Sequence, residues 1–169
     1  MRTIGVLFVV SSCLLAESNP LTQAITTRYN TVKQNLLQTA AVMPEADYGY
    51  KLSDAQRPFG AWIEHTAMGN FSLCSAIKGS TAPDTSKLHG LTAKADLQKA
   101  LKDSFEYCDG ALAGMDDQKA LAASDGKYPV TSMVSLVASL NEHYGNLVGY
   151  LRTKGITPPS TARAAKATK

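Results

Sequence analysis

Apolar side chains recur at steps of three and four in four separate stretches of this chain. Over residues 21–43 the stripe is Ile25, Tyr29, Val32, Leu36, Ala40 and Met43, closed by Pro44. From Pro58 to about Ile77, before Gly79, it is Trp62, Ile63, Ala67, Phe71, Cys74 and Ile77. From a capping Thr92 to about Met115 it is Leu97, Leu101, Phe105, Cys108, Leu112 and Met115. From Pro129 to Gly155 it is Met133, Val137, Leu140, Tyr144, Leu147 and Leu151. Each stripe marks one buried face of an amphipathic helix. Pro58 suits a first helical position, Gly79 follows a helix end, and Pro158 and Pro159 forbid continuation of the last helix. Arg152 and Lys154 complement the negative end of that helix.

The connections 44–57, 79–91 and 116–128 are polar or rich in Gly, Pro, Ser and Asp, the last with room for a short turn at 120–123. Asp47 to Leu52 has strand-like residues but no partner strand, so it reads as a packed loop. Four helices of about twenty residues and no convincing strand predict an all-α four-helix bundle. An extended chain covers about 3.3 Å per residue, so every connection can span a helix and the topology stays open.

Composition agrees with one folded domain: of 169 residues, 44% are hydrophobic and 18% charged, enough apolar surface for a sizeable core. The formal charge of +3 is local. Arg163, Lys166 and Lys169 carry three positive charges with no acid after residue 160, and Arg2 cancels Glu17, so the body is near neutral. A nucleic-acid footprint needs a basic patch on the fold itself, and none is expected. Residues 160–169 read as a basic flexible tail.

Residues 1–18 have the build of a cleavable signal peptide. Arg2 precedes an apolar run, Ile4 to Leu15, and Ala16-Glu17-Ser18 offers small residues for cleavage. The run is too short for a permanent transmembrane anchor. The expected location is secreted or periplasmic. The alternative is a lipoprotein attached through Cys13. Cleavage leaves Cys74 and Cys108, an even pair that in an exported protein suggests a disulfide. Two buried free thiols are the other reading.

The segments Arg57-Pro58-Phe59-Gly60-Ala61-Trp62-Ile63-Glu64-His65 and Asn141-Glu142-His143-Tyr144-Gly145-Asn146, continuing to Arg152, open the second helix and run through the fourth. On these residues the chain resembles the DinB/YfiT-like family. Phe71 to Ser75 and Tyr107-Cys108-Asp109 resemble exported members. The likeness covers roughly the whole chain after residue 18. It implies a four-helix bundle, 19–159 here, holding a divalent metal (zinc, nickel or manganese) with three histidines. One comes from the second helix and two from the fourth, one turn apart. Characterised members include thiol-dependent transferases and isomerases.

His65 and His143 match two of those ligands, but the third position is Ser139. Met68 stands where the family carries an acid. A hydroxyl is a poor zinc or nickel ligand, and two imidazoles alone rarely hold a metal tightly, so any metal is expected at low occupancy. His65 and His143 are therefore a catalytic metal pair whose sphere water completes, a weak metal site helped by Glu64 or Glu142, or hydrogen-bonded pocket histidines without a metal. His89, in a Gly-flanked loop, reads as a surface histidine. Glu142 points about 100° round the helix from His143 and reads as a solvated charge. Trp62, Ser139 and Tyr144 are pocket candidates, although Trp62, Tyr144 and Phe71 also suit a core. Asn70, Asn141 and Asn146 suit pocket or capping roles. Ser139 and His143, one turn apart, suggest a nucleophile and base without an orienting acid or oxyanion site.

Two functions follow. One is an exported module binding a small molecule or a partner, its metal site degraded. The other is a metal-dependent enzyme of thiol-transferase or hydrolase type using His65 and His143. The partner expected is an unidentified small molecule, with the chain either monomeric or a homodimer.

Overall fold

A computed structural model describes residues 19–167, and the signal-peptide and Cys13 expectations lie outside them. The helices are α1 (Pro20–Val42), α2 (Phe59–Lys78), α3 (Lys94–Leu112), α4 (Asp117–Ala120), α5 (Pro129–Thr153) and α6 (Pro159–Ala167). The fold is all-α, with no strand among the described residues. Helix α2 packs against α3 on one side and α5 on the other. Helix α1 closes the circuit against α5 and, less extensively, α3. No helix among the described residues is long and apolar enough to cross a membrane.

The four stripes meet along the axis of this circuit. Leu36, Met43, Phe59, Ile63, Leu97, Leu101, Phe105, Met133, Leu140 and Leu147 are buried together. Fully burying one such side chain contributes roughly 1.5–3 kcal/mol, so the stripes are the main source of stability. Helix α5 buries a wider face than its stripe: Leu136, His143 and Tyr150 are also inside, while Val137 is half-buried. The cause is that α5 packs against both α1 and α2, so two seams share one helix.

The connection before α2 is a packed loop, stitched down by backbone bonds. Phe59 N–H donates to Tyr50 O at 2.9 Å and Gly60 N–H to Tyr48 O at 2.8 Å. A Cβ on Gly60 would sit 3.0 Å from Leu97 Cδ1 and 3.2 Å from Tyr48 O, so a side chain here would need Leu97 or the Tyr48 carbonyl to shift by a few tenths of an ångström. Tyr48 is buried and donates to Ala40 O at 2.6 Å. This stitching fixes where α2 begins, and with it Arg57, Trp62 and His65.

Two connections depart from the sequence reading. Asp117, in the short α4, accepts from the amides of Leu21 and Thr22 and from the Thr22 hydroxyl, at 2.8–3.1 Å. It therefore caps α1 from 95 residues away, satisfying amides that α1 leaves open. Residues 160–167, expected to belong to a flexible tail, lie in α6 (Pro159–Ala167). Tyr144 and Ser160 exchange hydrogen bonds, and Arg163 reaches Asn35 and Gln38. The alanines that made the segment look featureless favour helix once those anchors hold it.

Candidate functional site

Trp62, on α2, is the hub of the site. Its Nε1–H donates to Tyr150 Oη at 3.2 Å, and the Tyr150 hydroxyl donates to Arg57 O. This relay ties the indole of α2 to α5 and to the residue that leads into α2. The Arg57 guanidinium carbon lies 5.1 Å from the Trp62 ring centroid. The rings of His65 and His143 lie 6.0 and 5.5 Å from the same indole, and 4.9 Å from each other. Two helices thus bring together the two histidines that the sequence singled out.

Their environments differ. His65 is exposed at its outer edge, while His143 is only 6% exposed. The Thr66 hydroxyl donates its one proton to Trp62 O at 2.7 Å. Its oxygen can then only accept from His143 Nδ1, 3.2 Å away. The hydrogen-bond network therefore assigns the Nδ1–H tautomer to His143 and leaves a lone pair on Nε2. That lone pair faces the Ser139 hydroxyl at 3.4 Å. Burial, then the neighbouring His65, lowers the His143 pKa to about 4 despite the opposing charge of Glu142. Burial against its neighbours and then the Arg57 charge lower that of His65 as well, while Glu142 and Glu64 oppose the shift.

The other candidates sit elsewhere. Tyr144 turns to the α1–α6 side and bonds Ser160, so it does not join the histidines. Asn70 donates to Ser104 Oγ, tying α2 to α3. Asn146 bonds the Glu142 carbonyl, and Asn141 bonds Val137 O and accepts from Arg28. Phe71 packs its ring against Tyr107. Glu142 is exposed. His89 lies 3.6 Å from Glu64, which also accepts from Gly90 N–H, and it shares a shallow cavity of about 300 Å³ with His65. Thr66 and Tyr150 escaped the sequence reading because their roles depend on contacts 77 and 88 residues away.

No family model matches the chain, and no curated protein matches it. A crystal structure of a DinB-like protein from Bacillus cereus ATCC 10987 superposes with a TM-score of 0.66, over 81% of this chain and 95% of that one, at 12% identity. The fold is that of a DinB-like protein. This likeness is one of backbone, so the chemistry of the site rests on its own residues.

For a metal the donor set is poor. It comprises two imidazoles and a hydroxyl, and no group of three or more His, Cys, Asp or Glu among the described residues is arranged to hold an ion. Structural and catalytic zinc sites take three or four protein ligands. The residues present do not fit a tightly held metal. A serine nucleophile fits no better, because a base with a pKa near 4 is poorly matched to taking a hydroxyl proton at neutral pH. What the arrangement does offer is a rigid indole floor bearing a cation, an exposed imidazole and a buried neutral one. That combination suits binding and orienting a small molecule.

Proposed function

We propose that this protein is an exported four-helix bundle of the DinB-like kind that binds a small molecule at the Trp62–His65–His143 cluster, with a histidine pair too sparse for a tightly held metal. The observation that carries the reading is the convergence of two imidazoles and one guanidinium on an indole pinned by Tyr150. The ring of α1, α3, α2 and α5 supports the bundle, and the pairing of Cys74 with Cys108 agrees with export. Any divalent ion is expected at low occupancy.

The metal-dependent enzyme is the second reading. It is favoured by one feature, the Nε2 lone pair of His143 held towards Ser139 while Thr66 engages Nδ1. Elemental analysis of protein purified without a histidine tag decides between them. The binding module predicts metal far below one ion per chain. Near-stoichiometric zinc, nickel or manganese that disappears in His143→Ala would overturn it in favour of the enzyme.

A further inference from the structure

Arg57 has an unused recognition surface. Its guanidinium lies over the Trp62 ring and makes no hydrogen bond or ion pair with the other described residues, so its N–H donors are open to a ligand. Its backbone carbonyl accepts from the Tyr150 hydroxyl, which fixes where the Arg57 side chain leaves the backbone beside the indole. His65 makes no hydrogen bond among the described residues either, and its ring N–H is a second free donor beside the same indole. Both residues line the cavity of about 300 Å³, with Ala61, Glu64, Met68 and His89. Acids are present, and they weigh against an anion here. However, Glu64 Oε1 accepts from Gly90 N–H at 3.3 Å and lies 3.6 Å from His89 Nδ1, on the His89 side of the cavity. Glu142 is exposed, where water and salt screen it.

We infer that this cavity binds the oxyanion group of a small molecule, a carboxylate or a phosphate, with Arg57 as a bidentate fork and His65 as the second donor. The inference rests on the small-molecule reading above and names the ligand class. A planar guanidinium matches two oxygens at once, and charge-assisted bonds of this kind are roughly twice as strong as neutral ones. Contact with the indole restricts the guanidinium in advance and lowers the entropy lost on binding. The rest of the ligand would extend along Met68 and Ala61, the apolar side of the cavity.

Trp62 is the single tryptophan of the chain, so its emission reports on this site alone. The test titrates the full protein at constant ionic strength with propionate, inorganic phosphate and the neutral propionamide. A second readout is the NMR shift of the His65 ring. The expected result is a saturable change with propionate or phosphate and none with propionamide. Propionate responding alone identifies a carboxylate site, and phosphate alone a phosphate site. Arg57→Gln should raise the half-saturating concentration about tenfold or more, and Arg57→Lys, which keeps the charge and loses the fork, should raise it less. Arg57 is exposed, so neither variant threatens the core. A response to propionamide equal to that of propionate, no response to either anion, or a wild-type half-saturation in Arg57→Gln overturns the inference. Metal content does not depend on Arg57, so a failed titration at low metal content removes only the oxyanion assignment. Near-stoichiometric metal overturns the binding-module reading itself.

Discussion

Ser139 and His143 decide the chemistry at the scale of single residues. The Ser139 hydroxyl stands 3.4 Å from His143 Nε2, one helical turn away and on the same side. Replacing Ser139 with histidine would put a third imidazole beside the other two. The expected outcome for Ser139→His is stoichiometric zinc or nickel, measured by elemental analysis after dialysis against excess metal. A variant that stays empty means the three positions do not converge. His143 also makes stability depend on pH. Its folded pKa of about 4 lies below the unfolded value of about 6.5, so the unfolded chain takes up the proton first. Stability is full above pH 6.5 and falls as pH drops towards 4, with about 2–3 kcal/mol lost by pH 4.5. The lowered pKa of His65 acts in the same direction. Urea unfolding at pH 7 and 4.5 checks this, and His143→Gln should flatten the difference. An equal drop in that variant would assign the pH effect to other groups.

Cys74 and Cys108 join α2 to α3 at the scale of elements. Both side chains are fully buried, and their Cα atoms are 5.2 Å apart, a separation at which a disulfide closes without moving the backbone. The pair encloses a loop of 34 residues in sequence, which a chain-entropy account makes worth about 3–4 kcal/mol. The expected result is no reactive thiol at Cys74 or Cys108 when the purified protein is titrated in denaturant without reductant. A reductant should lower the midpoint of unfolding. Two reactive thiols from this pair would rule out the bridge. The pairing was legible beforehand, because the two stripes placed each cysteine on a buried face. The α1 cap was not legible, because the acid that supplies it, Asp117, lies 95 residues from Thr22.

Across the whole molecule, the two sides of α5 do separate work. One faces α2 and carries His143. The other faces α1 and α6, where Tyr144 meets Ser160. Removing α6 by ending the chain at Pro158 would forfeit, among other contacts, the hydrogen bonds between Tyr144 and Ser160 and those from Arg163 to Asn35 and Gln38. At about 0.5–1.5 kcal/mol each, with part recovered by water, a loss of roughly 2–3 kcal/mol is expected in chemical unfolding. The tautomer of His143, read from its ring nitrogen shifts, should not change, because α6 touches the other seam. A changed tautomer would show that the two sides are coupled.

The residue pattern alone determined that the chain is helical, how many long helices it has and, in outline, which face of each is buried. Those properties follow from local spacing, since a helix repeats every 3.6 residues whatever surrounds it. Tertiary structure decided what spacing cannot carry: that Trp62 is the shared floor, that Thr66 sets the tautomer of His143, that Tyr144 faces the other seam and that residues 159–167 dock as a helix. Each of these depends on groups far apart in sequence, whose meeting is set by how the helices pack and not by any one of them.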